Sequence, residues 1–330
     1  MSVPPNAHEA TSLFLPSQSD TKDRLPGEAL KADSRILKHP GAADPERIQS
    51  VAGEALTLTF ELEPGQSLRD ALLDPLRAAG IAAATVRMEG LSLDCLHFVR
   101  PAPPKDDQHV AFYSEPHRID TPLYIELACA TVGEREGKPF IHCHALWKGA
   151  DGAMQGGHIF SDQVTVARGS VAKAWGIANA LMRADYDPET NFTLFQPVEA
   201  PPVSNVTASR DGRKGIVARI RPNEDLSQGI EAACRINGIR AARIRGSVGS
   251  IVGARFENAD PVDDIATEIL VLDGEVKDEG GEPRATLDVA LIDPRGRVHQ
   301  GRVVRGDNPV LICFELFLEE SLRADEGRVA

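Results

Sequence analysis

The chain has 330 residues, 42% of them hydrophobic and 26% charged, and its formal net charge is −13. That is the composition of a globular protein of about two domains. The acidic excess argues against an evenly basic nucleic-acid-binding surface, which needs clustered Lys and Arg, and no apolar run reaches the ~18–20 residues of a membrane span.

Taken in chain order, residues 1–52 read as an irregular N-terminal arm, rich in Pro, Ser, Asp and Lys, and Met1–Lys22 lacks the basic start and apolar core of a secretory signal. Regular patterning begins near Glu54. A strand leads into a turn at Pro64-Gly65, then a helix with Ser67 as N-cap, a kink at Pro75, and a glycine stop at Gly80. Strands come next at Ala83–Met88, Leu93–Val99, Leu123–Thr131, Phe140–Lys148 and Ala153–Phe160, and Ser170–Met182 reads as an apolar helix. Pro-rich Glu199–Asn205 opens a linker over 199–213. The five cysteines (Cys95, Cys129, Cys143, Cys234, Cys313) are widely spaced and form no CxxC, which fits the reduced thiols of a cytoplasmic protein.

The chain after the linker repeats the chain before it. Phe60–Leu68 lies 158 positions before Ala218–Leu226, bringing Pro64 onto Pro222 and Leu68 onto Leu226, and Gly80-Ile81 falls on Gly238-Ile239. Asp225 takes the N-cap position of Ser67. At an offset of 144, Tyr124–Leu127 falls on Glu268–Val271, Gly152 on Gly296 and Gly157 on Gly301; the offset drops because the first copy has a longer loop before this block. Two copies are therefore expected, at 53–198 and 214–320, with a tail at 321–330.

The chemistry concentrates in Gly137-Lys-Pro-Phe-Ile-His142-Cys-His144 and Gly156-Gly157-His158. Alternation along a strand puts His142 and His144 on one face and turns Cys143 toward the core. A hairpin centred on Asp151 sets His144 opposite His158; one centred half a residue earlier sets His158 opposite Cys143, on the wrong face. In the first register three imidazoles converge, a donor set suited to Zn, Fe, Ni or Cu with an open position at which the metal polarises a water or a carbonyl. Three half-exposed sheet histidines without a ligand are the other reading, and spacing does not separate the two. In the second copy the same positions are Thr286, Asp288 and Arg302, so the fold itself does not require the histidines. Asp288 and Arg302 are expected to pair across their hairpin.

Through these glycine-Ile turns, Glu268-Ile-Leu-Val-Leu-Asp-Gly274, and the His142, His144 and Gly156-Gly157-His158 block, the chain resembles the plant and prokaryote conserved (PPC) domain family. The resemblance implies an α+β fold of two PPC-like domains, each a mostly antiparallel sheet with one or two packed helices, assembled as trimers. Plant members of the family carry AT-hooks and bind DNA, and many bacterial members bear a DNA-binding label. The wider superfamily is similar to acetolactate decarboxylase and to a zinc-dependent ester hydrolase, which hold zinc through a comparable histidine set. Carried over residue by residue, this supports His142, His144 and His158 as ligands of zinc or another divalent transition metal. It implies metal-dependent lyase or hydrolase chemistry on a small carbonyl or carboxylate compound, the second copy being degenerate. The first copy departs from the family with Tyr124 where Glu is expected and Ala130 where Gly is expected.

Other residues carry weaker signals. Glu89 is a candidate catalytic carboxylate, and Arg87, Arg100 and Lys138 are candidates for binding an anionic substrate. Pro294-Arg-Gly-Arg-Val298 looks like an AT-hook, but it aligns with the Ala150–Met154 turn of the first copy and is expected to be a β-turn. Nucleic acid thus remains a partner disfavoured by charge, with a small-molecule ligand and a homo-oligomer preferred. No Gly-rich phosphate loop, GxSxG or nucleophilic Cys motif is present.

Overall fold

A computed structural model describes residues 35–203 and 205–321. In chain order the elements are β1 (Ile48–Leu62), α1 (Leu68–Ala78), β2 (Ala83–Leu93), four short strands β3 (Leu96–Val99), β4 (Pro101–Ala102), β5 (Phe112–Tyr113) and β6 (His117–Ile119), then β7 (Leu123–Arg135), β8 (Lys138–Lys148), β9 (Met154–Ile159), β10 (Ser170–Ile177), β11 (Ala180–Asp187) and β12 (Phe192–Glu199). The second half runs β13 (Ser209–Ile220), α2 (Leu226–Ile236), β14 (Ala242–Ala254), β15 (Val262–Glu279), β16 (Glu282–Ile292), β17 (Val298–Arg302) and β18 (Val310–Glu320).

The strand order along one sixteen-stranded sheet is β17-β16-β15-β14-β18-β13-β1-β10-β2-β7-β8-β9-β3-β6, with β11 on β7 and β12 on β11. The β11–β7 contact is parallel and the other ladders are antiparallel. Read outward from the central β1–β13 pair, the first half runs β1-β10-β2-β7-β8-β9 and the second β13-β18-β14-β15-β16-β17. Corresponding strands hold corresponding places. Local geometry repeats as well. Ser67 Oγ and Asp225 Oδ1 each accept from the backbone N–H three residues on. Gly80 and Gly238 both take positive φ just past the helix end. The helix α1 runs through Pro75.

Two expectations are corrected. Ser170–Met182 is not a helix: β10 lies between β1 and β2 and β11 comes after it, in strands whose inward faces are buried. With two helices of 11 residues each among the described residues, the fold is more nearly all-β than α+β. No helix among the described residues is long and apolar enough to cross a membrane. Of the expected arm, residues 1–34 lie outside the described residues, as do 322–330 of the expected tail. Residues 35–47 lie against the second half. Leu37 exchanges backbone hydrogen bonds of 2.9 and 2.8 Å with the Asn223 side chain, and Arg35 donates to Val252 O.

Each half has its own apolar core beneath its helix, and further buried clusters join the halves. In one of these, Leu127, Cys129 and Leu146 of β7 and β8 meet Val248, Leu270, Ala290 and Ile292 of β14, β15 and β16. Backbone approach is close here: a Cβ on Gly156 would lie 2.6 Å from Ile292, and one on Gly246 2.5 Å from Thr85. A second join is ionic. Asp187 and Glu189, in the β11–β12 turn, receive Arg219, Arg221 and Arg47 from the central strands and the segment before them. Because Leu270 is fully buried between the halves, Leu270→Ala is expected to lower the unfolding free energy by about 2–5 kcal/mol in urea titration.

Candidate metal centre

The Glu136-Gly137 turn, both residues at positive φ, reverses the chain between β7 and β8, and the Gly149–Ala153 turn reverses it again into β9. The second hairpin takes the register centred on Asp151, with His144 directly opposite His158. His142 lies two residues along the same face of β8, and Cys143 is fully buried on the other face. Ligand nitrogens of His142, His144 and His158 lie within 4.8 Å of one another, with ring centroids 4.8–5.6 Å apart.

The outward nitrogen of each ring is engaged. His142 Nδ1 lies 3.0 Å from Glu315 Oε1, His144 Nδ1 lies 3.2 Å from the Ile269 carbonyl, and His158 Nδ1 lies 3.3 Å from the Tyr113 hydroxyl. A carbonyl only accepts, and so does an ionised carboxylate, so His142 and His144 carry their neutral-state protons on Nδ1. Their Nε2 lone pairs then face each other at 3.1 Å. Glu268 Oε1 lies 3.4 Å from His144 Nε2, and the residue is 3% exposed. Inward lone pairs beside a buried carboxylate call for a positive charge at their focus, either a proton or a metal ion. Outward Nδ1 partners of this kind orient imidazoles that bind metals through Nε2.

The titration behaviour has the same origin. Burial lowers the basicity of His144, but the Glu268 charge outweighs it and the pKa is raised. Burial, with the charges of His142 and His144, pushes His158 well down and keeps it neutral. Burial, then the charge of Glu268, pushes the Tyr113 phenol well up.

The cluster opens into a cavity of about 70 Å3 formed by both halves. The first half supplies the three histidines, Tyr113, Phe112, Phe140, Phe192 and Phe195; the second supplies Glu268, Glu315, Ser250, Thr267 and Cys313. Glu268 and Glu315 went unassigned in the sequence because they lie in the half without histidines. At the repeat offset of 144 they correspond to Tyr124 and Val171, both of which are more than half exposed. Tyr113 sits in the longer loop of the first half, the place where the copies differ in length.

The remaining candidates lie elsewhere. Arg87 and Glu89 form an ion pair with each other at 2.9 Å, and Lys138 is exposed at the start of β8; none of the three lines the cavity. Arg100 bonds Gln155 and stacks over Phe98. In the second half Arg302 pairs with Asp288 at 2.8 Å, a guanidinium taking the corner that His158 takes in the first.

Residues 207–321 match the family model of the Plants and Prokaryotes Conserved (PCC) domain. No curated protein sequence matches the chain. Among solved structures, the chain is similar to a metal-containing protein from Archaeoglobus fulgidus (21% identity, 44% of this chain and 97% of that one, TM-score 0.34). It is also similar to a plant- and prokaryote-conserved protein from Pyrococcus horikoshii (14% identity, 46% and 96%, TM-score 0.33). A candidate DNA-binding protein from Ralstonia eutropha is a third (19% identity, 42% and 88%, TM-score 0.31).

The AT-hook-like string is a folded turn. Gly296 has positive φ, its N–H donates to the Asp293 carbonyl, and its own carbonyl accepts from Gly156 of β9. Arg295 and Arg297 both hold the buried Asp293 carboxylate, and His299 is a third partner. Burial pushes the Asp293 carboxyl up, but hydrogen bonds from His299, Arg297 and Arg295 outweigh it and bring the pKa from 3.8 to about 2. A depressed folded-state pKa stabilises the protein fully above pH ~4, and that contribution is lost as pH falls toward 2. Asp293→Asn is therefore expected to cost about 2 kcal/mol near neutral pH, with the two stability curves converging near pH ~2 in denaturant titrations.

Proposed function

We propose that the first half is a second copy of the PCC domain matched over residues 207–321, and that the chain is a tandem protein holding one metal ion. The domain bounds are 53–198 and 214–320, joined by a 199–213 linker. The matching strand order, helix caps and positive-φ turns of the two halves support this.

The metal ligands are His142, His144 and His158, and the ion is zinc or another divalent transition metal, the class that imidazole nitrogens favour. The observation that carries this reading is the pair of Nε2 atoms at 3.1 Å beside the buried Glu268 carboxylate, their Nδ1 partners already in place. The similar protein from Archaeoglobus fulgidus bears a metal-containing name, in keeping with the reading. Assembly as trimers is what the family resemblance implies. Because the whole histidine–carboxylate cluster lies within one chain, the metal content stays at one per chain whatever the assembly.

When bound, a divalent metal here supplies Lewis acidity toward a carbonyl or a water. The chain's own residues do the rest. Glu315 and the Ile269 carbonyl fix the ring orientation of His142 and His144. Glu268 stands within reach of the focus as the group that accepts a proton from an attacking water. The Tyr113 hydroxyl, kept protonated, donates toward a developing oxyanion. This favours metal-dependent hydrolase or lyase chemistry on a small carbonyl compound.

Elemental analysis of the purified protein is expected to find close to one equivalent of transition metal per chain, and His142→Ala is expected to abolish it. A chelator is expected to lower the melting temperature of the wild type and leave the variant unchanged, because an ion that binds the folded state at ~1,000 times its Kd adds about 4 kcal/mol. Wild-type protein without metal, and with unchanged melting after chelation, overturns the reading.

A further inference from the structure

The charges that face the cavity are all of one sign. Glu268 and Glu315 line it, and among the described residues no Lys or Arg does. Arg219, opposite Glu315 in the β13–β18 ladder, is taken up by Asp187. Arg221 beside it is shared among Asp187, Glu189 and Asp44. The neighbouring guanidinium groups are thus committed to carboxylates of their own. Three neutral imidazoles, a divalent ion and two carboxylates sum to zero, so the focus has no surplus positive charge for an incoming anion. The other walls are mostly apolar, with Phe112, Phe140, Phe192, Phe195 and Leu311, and their polar members, among them Tyr113, Ser250 and Thr267, are uncharged. At about 70 Å3 the cavity admits only a few heavy atoms beside an ion.

We propose that this site takes an uncharged carbonyl compound, a small ester, amide, ketone or aldehyde with an apolar substituent, and turns away carboxylates and phosphates; this rests on the metal reading above. A neutral carbonyl oxygen brings only a lone pair to the focus. Its substituent lies against the phenylalanines, and the chain leaves by the open side of the cavity. A carboxylate or phosphate meets Glu268 and Glu315 at short range between low-dielectric walls, with no Lys or Arg on the lining to offset the repulsion. Glu268 is thereby the residue that sets the charge preference, with Glu315 behind it.

The test uses full-length protein loaded with Co2+, whose visible spectrum reports what binds the ion. Imidazole is the neutral probe; azide and acetate are the anionic ones. The wild-type spectrum is expected to respond to imidazole, and to azide and acetate only at concentrations about tenfold higher or more. Glu268→Gln is expected to gain azide affinity about tenfold while imidazole affinity changes less than about threefold. Glu315→Gln is the second variant, expected to move in the same direction, and it decides the matter should Glu268→Gln not hold cobalt. Anions that bind the wild type as readily as imidazole, or variants whose azide response is unchanged, overturn the proposal and leave the metal reading standing. Wild-type protein that takes up no cobalt overturns both.

Discussion

The structure depends on one apolar contact between its halves. Leu127, Cys129 and Leu146 lie on the same faces of β7 and β8 that carry the histidine cluster, and they seat against Val248, Leu270, Ala290 and Ile292. Strand periodicity then leaves no freedom. Leu146 inward means His144 and His142 inward, and Leu270 inward means Glu268 inward. Hydrophobic stacking of two sheets thus carries imidazoles and carboxylates out of water together. Their placement at 3.0–3.4 Å follows from the register of β8 and β9 on one side and of β15 and β18 on the other. Buried polar groups at this density are tolerated only when each finds a partner of the right kind.

The two halves divide the work. The first keeps three histidines where the second has Thr286, Asp288 and Arg302. The second keeps Glu268 and Glu315 where the first has Tyr124 and Val171. The corresponding positions lie nearer the surface: Tyr124 and Val171 are exposed, and the Arg302–Asp288 pair is partly solvated. An ion pair at that depth adds little stability. Two buried groups of charges lie instead between the halves, the histidine–carboxylate cluster and the Arg219–Asp187–Arg221 group.

Much of this was legible in the sequence, and the exceptions have physical reasons. The turns and caps were readable because Gly80, Gly238, Ser67 and Asp225 each answer a local backbone demand. Of the two hairpin registers that the turn left open, the structure takes the one that joins His144 to His158. Ser170–Met182 misled because its alanines suit a helix, while its fate is set by neighbours: it lies between β1 and β2, and at Gly176 a Cβ would meet the Ala83 carbonyl at 2.4 Å. At the 144 offset its first seven residues fall on 314–320, in the Val310–Glu320 strand, rich in β-formers, so the repeat itself held the clue. Glu268 was seen as a family mark, but its place over the histidines was hidden because contacts between halves leave no local periodicity. Glu89 drew notice as a carboxylate expected at the end of the strand after the first helix, yet it lies within β2, paired with Arg87.

Keeping the nitrogen donors in one half and the oxygen donors in the other also limits how this chain can change. Neither half can be shed, shortened to an independent unit or exchanged for a copy of its partner without losing part of the site. Two copies of the first half would bring histidines against Tyr124 and Val171, and two of the second would bring carboxylates against Asp288 and Arg302. The paired arrangement therefore binds the two halves together: the loops are free to vary in length, but neither half alone holds both the histidines and the carboxylates.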